Sequence, residues 1–195
     1  DIKSFSIDNE TSILDAIQII NNQPENFQFI IVLIFIISND IQIVNTRVNL
    51  LEKLISNNYI NYIFVCFCVL IVINGSNFFD GLNTLSIGYY LLVSLIIYYL
   101  KTFDLISVNE VFIKYILVVL IITFILNLFN RVYLGDAGSY LLGFTFSIFL
   151  INIYLENPQI SPFFVIVLLW YPSYETLFSI VRKNIMNQSP MKPDS

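Results

Sequence analysis

The chain has 195 residues, of which 57% are hydrophobic and only 12% charged, and its formal net charge is −5. Because soluble domains carry about 25% charged residues, this composition indicates a membrane protein. The small negative charge and the lack of a basic cluster argue against a nucleic-acid partner, and the absence of histidine excludes histidine-based zinc sites and triads within these residues.

Residues 1–26 differ from the rest of the chain because they are largely polar. Their few apolar side chains recur at helical spacing, at Ile13, Leu14, Ile17 and Ile20. This pattern predicts a short amphipathic segment that lies on the cytoplasmic side of the membrane.

Six apolar stretches follow, and each is a candidate membrane-spanning helix, since about 20 mostly apolar residues cross a bilayer. They cover residues 27–37, 59–73, 85–100, 111–129, 140–155 and 162–181. Residues 27–181 are therefore predicted to form one all-α, polytopic helix bundle with about six spans. Residues 182–195 are predicted to be a basic cytoplasmic tail.

Counting the crossings places three polar segments on one face of the membrane. These are the residues after position 73, the residues before position 140 and the tail after position 181. That face carries five of the nine Lys and Arg residues, so the positive-inside rule favours the cytoplasm. Asp40 is one span away from Asp80 and is therefore expected on the opposite face.

The first chemical motif is "NGSNFFDGLNTL", in which Asn74, Asn77 and Asp80 are spaced three apart. On a helix this spacing forms one polar stripe. Polar groups grouped at the end of a membrane helix are costly unless they meet a partner, which indicates a binding site. The alternative is a helix-end cap with solvated amides.

The second motif is "GDAGS", in which Gly135 and Gly138 flank Asp136. A helix that begins near Ala137 would point its positive end at this carboxylate and at any anion nearby. Carboxylate and phosphate oxygens suit Mg²⁺, so Asp136 is a candidate magnesium ligand. The alternative is that Asp136 is simply an N-cap.

The two motifs together resemble the polyprenyl-phosphate N-acetylhexosamine-1-phosphate transferases, which are membrane enzymes of glycosyltransferase family 4. The resemblance is carried by "NGSNFFDGLNTLSIG", by "NRVYLGDAGSYLLGF" and by the ending "LLWYPSYETLFSIVRKNIMNQSPMKPD". It implies transfer of a sugar-1-phosphate from a UDP-N-acetylhexosamine to polyprenyl (undecaprenyl) phosphate in the bilayer, with Mg²⁺ as cofactor. The reaction would initiate polysaccharide synthesis at the cytoplasmic face of the plasma (inner) membrane.

The resemblance also assigns roles to individual residues. It implies that Asp80 and Asp136 are catalytic, with Asp136 as the metal ligand. The implied substrate-binding residues are Asn74, Asn77, Tyr133, Arg182 and Lys183. Tyr133 would stack on uracil, unless it is an interfacial belt aromatic. Arg182 and Lys183 would meet phosphates, unless they only set the topology.

Three expectations remain open at the level of sequence. An upstream acidic pair and a downstream histidine loop, both typical of the family, are not found in the 195 residues, so we expect this chain to be an inactive fragment of the enzyme. The alternative to an enzyme is a non-catalytic membrane scaffold or a transporter fragment. A homodimer is neither indicated nor excluded.

Overall fold

The computed structural model of the chain describes residues 24–81 and 84–186. The regular structure in those two ranges is helical. The α-helices are α1 (Pro24–Ser38), α2 (Asn49–Ile55), α3 (Asn58–Phe78), α4 (Leu85–Thr102), α5 (Glu110–Leu128), α6 (Gly135–Glu156), α7 (Pro162–Leu168) and α8 (Trp170–Ile185). A 3₁₀ turn, Phe79–Gly81, follows α3. The predicted amphipathic helix and most of the predicted tail lie outside the described residues.

The all-helical membrane fold predicted from the sequence is confirmed. Helices α3, α4, α5 and α6 are each long and apolar enough to cross a membrane, and the pair α7 and α8 is a fifth candidate if it is counted as one span. The first predicted span corresponds to α1, which is shorter than these. Large apolar side chains that would be costly to expose to water, such as Val119 and Ile122 of α5, stand on the outside of the bundle.

The last predicted span is bent by 71° between α7 and α8. Pro172 lies in the first turn of α8 and has no N–H, so it cannot donate to the carbonyl of Leu168 four residues earlier. The hydroxyl of Tyr89 donates to that carbonyl instead, at 2.6 Å. Proline and a substitute donor from a neighbouring helix thus account for the break within residues 162–181.

Helix α3 is the centre of the bundle and packs against α1, α6 and α8, whereas α4 packs mainly against α5. Small residues permit the closest approaches. A Cβ atom at Gly143 of α6 would lie 2.6 Å from Ser76 Oγ and 2.8 Å from Ile73 Cα, and a Cβ atom at Gly75 of α3 would lie 1.8 Å from the carbonyl oxygen of Pro172. Glycines at helix contacts are typical of membrane bundles, where packing replaces the hydrophobic driving force.

The segment between α1 and α3 lies at the end of the bundle where α3 begins and α6 ends. The buried Asn61 near the start of α3 exchanges hydrogen bonds with the backbone of Ile43, and the hydroxyl of Tyr154 near the end of α6 bonds to the carbonyl of Asn45. Asp40 is held there by the hydroxyl of Tyr62. The crossing count is therefore correct in placing Asp40 away from Asp80, which follows the opposite end of α3.

Candidate functional site

The first motif forms the C-terminal end of α3 and the 3₁₀ turn that follows it. Phe79, the first residue of the turn, is 4% exposed. Its ring lies 5.1 Å from the ring of Tyr171 and 5.8 Å from that of Tyr89, measured between centroids. These ring contacts of Phe79 hold the turn in place. The next residue, Asp80, is half-buried at the end of the bundle.

The second motif begins where α5 ends. The N–H groups of Asn130 and Arg131 donate back to the carbonyls of Asn127 and Leu126, at 2.9 Å each, and Asn130 has a φ of 54°. This is the Schellman arrangement, which ends a helix with a left-handed residue. Helix α6 then begins at Gly135, and Asp136 is an exposed carboxylate in its first turn. The N-cap position is Leu134, so Asp136 is not the N-cap.

The two motifs meet through the amide of Asn77. Its Oδ1 accepts from the hydroxyl of Ser139 at 3.1 Å, and its Nδ2 donates to the hydroxyl of Tyr140 at 3.0 Å. Ser139 is fully buried and also lies within hydrogen-bond distance of the carbonyl of Asp136, at 2.9 Å. The end of α3 and the first two turns of α6 therefore lie side by side, as the crossing count predicts.

The electrostatics of Asp80 reflect this meeting. Burial raises the pKa of the Asp80 carboxyl, and the negative charge of Asp136 raises it further. Together they raise this pKa from 3.8 to about 6. A like charge nearby disfavours the ionised form of a carboxyl group. A cation between Asp80 and Asp136 would remove the repulsion.

Asp80 and Asp136 are oxygen donors of the kind that Mg²⁺ takes. Among residues 24–81 and 84–186, no group of three or more Asp, Glu, Cys and His side chains could enclose an ion. Mg²⁺ is commonly held by one or two carboxylates, with waters and substrate phosphates as the other ligands. Asp80 and Asp136 could supply the protein's share of such a site.

The basic end of α8 reaches the same region. The ammonium group of Lys183 lies 5.8 Å from the centroid of the Phe78 ring, and Phe78 is the last residue of α3. Lys183 is only 4% exposed, which the position of "RK" in a tail did not predict. Arg182 beside it is half-buried. The contact with Phe78 places the C-terminal end of α8 at the same end of the bundle as Asp80.

The other two predicted site residues, Tyr133 and Asn74, differ in exposure and in hydrogen bonding. Tyr133 lies in the loop just before Asp136 and is 67% exposed. Asn74 is half-buried on α3, and its amide donates to the carbonyl of Leu70 in its own helix at 2.9 Å. Asn77 therefore joins the two motifs, whereas Asn74 is bonded within α3.

Sequence reasoning did not single out Asn127. This buried residue in the last turn of α5 accepts from the N–H of Thr84 at 2.6 Å and donates to the carbonyl of Val132 at 2.7 Å. The available signal was the one amide side chain in the predicted span 111–129, just before the second motif. Tyr140, which bonds to Asn77, gave no signal beyond its place in "GSYLLGF".

Comparison with known proteins gave one match. A family model described as "Glycosyl transferase family 4" matches residues 24–154. The matched region includes both motifs and the helices between them, and it ends before α7. No curated protein and no solved structure gave a significant match.

Proposed function

The chain belongs to glycosyl transferase family 4, and from this we propose that it transfers an N-acetylhexosamine-1-phosphate from a UDP-sugar to a polyprenyl phosphate. In this reaction an oxygen of the lipid phosphate forms a bond to the phosphorus next to the sugar. The bond from that phosphorus to the bridging oxygen breaks, and UMP leaves with the electron pair. The product would be the first lipid-linked intermediate of a cell-envelope polysaccharide.

The observation that carries this proposal is the meeting of Asp80 and Asp136 at one end of the helix bundle. The charge of Asp136 acts on Asp80, and Asn77 joins their two motifs through Ser139. A site at helix ends suits a reaction between a water-soluble sugar nucleotide and a phosphate anchored in lipid. Because sugar nucleotides are cytosolic, we propose that this end faces the cytoplasm and that the membrane is the plasma membrane.

Mg²⁺ is the proposed cofactor, with Asp136 as ligand and Asp80 beside it. When bound, the ion would offset the charge of the two phosphate-bearing substrates and of the developing leaving group. The protein's own task is to hold both carboxylates where phosphates can approach from water. Asn77 contributes by fastening the two motifs together, so its proposed role in substrate binding is to shape the site.

The remaining proposed contacts are with the substrates. Exposed Tyr133, three residues before Asp136, would stack on the uracil ring, since bases are commonly bound on aromatic faces. Arg182 and Lys183 end α8 near Phe78 and would attract the phosphates. Asn74 would line the donor side of the site.

The test is formation of radiolabelled lipid-linked sugar in membranes that contain the protein expressed from its complete gene. Asp136→Asn should lower the rate by about 100-fold or more, because an interaction worth several kcal/mol in the transition state is lost. Asp104→Asn is the matched control, since Asp104 is an exposed aspartate in the loop after α4. An unchanged rate in Asp136→Asn with normal membrane insertion would favour a non-catalytic scaffold or a transporter fragment.

A further inference from the structure

The buried amide of Asn127 joins the end of the segment that follows the Asp80 turn to the loop that precedes Asp136. It accepts the N–H of Thr84, four residues after Asp80, and donates to the carbonyl of Val132, four residues before Asp136. Asn127 is 4% exposed, so its hydrogen bonds are shielded from competing water. One side chain therefore connects the exit of the first motif to the entry of the second.

The loop on the first side is strained at the point where Asn127 holds it. Thr84 has a φ of 66°, in the left-handed region. That conformation is unfavourable for a β-branched residue and persists only where the surroundings impose it. The carbonyl of Thr84 also accepts from the N–H of Gly88 at 2.8 Å in the first turn of α4. Thr84 is thus fixed from both of its peptide groups.

The loop between α5 and α6, which leads to Asp136, is held by the same residue, Asn127. The backbone carbonyl of Asn127 accepts from the N–H of Asn130 at 2.9 Å, which closes the end of α5. The side chain of Asn127 then holds the carbonyl of Val132, which directly precedes Tyr133. The chain is therefore led from α5 toward Asp136 along a defined path.

We infer that Asn127 is a positioning residue that sets the spacing between Thr84, which follows the Asp80 turn, and Val132, which precedes Asp136. It acts through the backbone of Thr84 and Val132, and in this role its amide holds protein rather than substrate. The inference rests on the proposed function only where it concerns the metal. If the two carboxylates share one Mg²⁺, then removing the hydrogen bonds of Asn127 to Thr84 and Val132 will weaken binding of that ion. A tight octahedral ion tolerates little misplacement of its ligands.

The geometric test measures the distance between spin labels at positions 78 and 133 in a protein whose Cys66 and Cys68 are replaced by alanine. Both labelled positions are exposed. Asn127→Leu has a similar volume but cannot bond to either loop, and it should lengthen or broaden the distance distribution. Asn109→Leu is the matched control, because Asn109 caps the opposite end of α5. It should leave the distribution unchanged.

A second variant guards against failure to fold. If Asn127→Leu does not insert into membranes, Asn127→Ser carries the same test, since the shorter hydroxyl cannot span both loops. An inserted Asn127 variant whose distance distribution matches that of the parent overturns the inference.

The metal readout is the Mg²⁺ concentration that gives half the maximal transfer rate, measured with the complete gene product. Asn127→Leu should raise it about tenfold, with a smaller loss of rate at saturating Mg²⁺, and Asn109→Leu should not. A broadened distance with an unchanged Mg²⁺ requirement would overturn the link to the metal. Absence of transfer by the parent would refute the proposed function. The spin-label distances would still decide whether Asn127 is a positioning residue.

Discussion

At Asp80, burial and the neighbouring carboxylate act in the same direction. Both disfavour the charged form, so the pKa rises to about 6 from 3.8. The folded chain therefore keeps a proton on Asp80 at pH values where the unfolded chain has released it. As the pH rises from about 4 to about 6, Asp80 opposes folding increasingly, and a bound cation would reverse this effect.

Removal of the second charge should lower the pKa of Asp80. In Asp136→Asn we expect the Asp80 carboxyl to titrate below the parent's value of about 6 and still above 3.8, because burial remains. ¹³C NMR of selectively labelled aspartate in detergent micelles measures this titration. Asp104→Asn should leave it unchanged. A pKa of Asp80 that is the same in Asp136→Asn and in the parent would show that the carboxylates do not interact.

Tyr133 provides a second prediction for a single residue. Tyr133→Ala should raise the KM for the UDP-sugar by roughly 5- to 150-fold, since stacking of a base on an aromatic ring is worth about 1–3 kcal/mol. Tyr133→Phe keeps the ring and should stay close to the parent. Tyr99→Ala, an exposed tyrosine near the end of α4, serves as the control. Equal KM values in the parent and Tyr133→Ala would rule out the stacking role.

At the level of helices, the register between α3 and α6 depends on close contact at Gly143. Gly143→Ala should destabilise the protein by about 1–3 kcal/mol, because the new methyl group would meet the backbone of Ile73 and the side chain of Ser76. Gly88→Ala is the control, since its methyl group would meet only the tip of the Phe124 ring, at 3.1 Å. Thermal unfolding in detergent compares the two. Equal stability would mean that α3 and α6 can separate without cost.

The same contact should affect the site, because Ser139 and Tyr140 lie one turn before Gly143 on α6. A displaced α6 would pull these residues from Asn77. We therefore expect Gly143→Ala to reduce transfer as well as stability, whereas a core substitution away from α6 would reduce stability alone.

The helices show how far sequence reasoning extends. Apolar length predicts the positions of α3 to α6, since each is one helix that is long and apolar enough to cross a bilayer. The run over residues 162–181 predicts a single span, and Pro172 inside it was the signal for the break. The donor that makes the break tolerable, Tyr89, comes from another helix. Such a contact cannot be read from local pattern.

For the whole molecule, counting the membrane crossings is sufficient to predict that the two motifs lie at the same end of the bundle. This part of the site was predictable because each span reverses the direction of the chain. The number of crossings does not indicate which side chains are in contact. The bonds of Asn77 to Ser139 and Tyr140, and of Asn127 to both loops, depend on helix rotation and packing, so the sequence did not reveal them.

Electron paramagnetic resonance of Mn²⁺ tests most directly whether Asp80 and Asp136 meet at one divalent-cation site, with Asp136 as its ligand and Asp80 beside it. With the purified protein and UDP, which supplies phosphate ligands, Asp80→Asn and Asp136→Asn should each weaken Mn²⁺ binding at least about tenfold. The double variant should lose little more, and Asp104→Asn should bind like the parent. Parent-like affinity in either single variant would contradict the shared site.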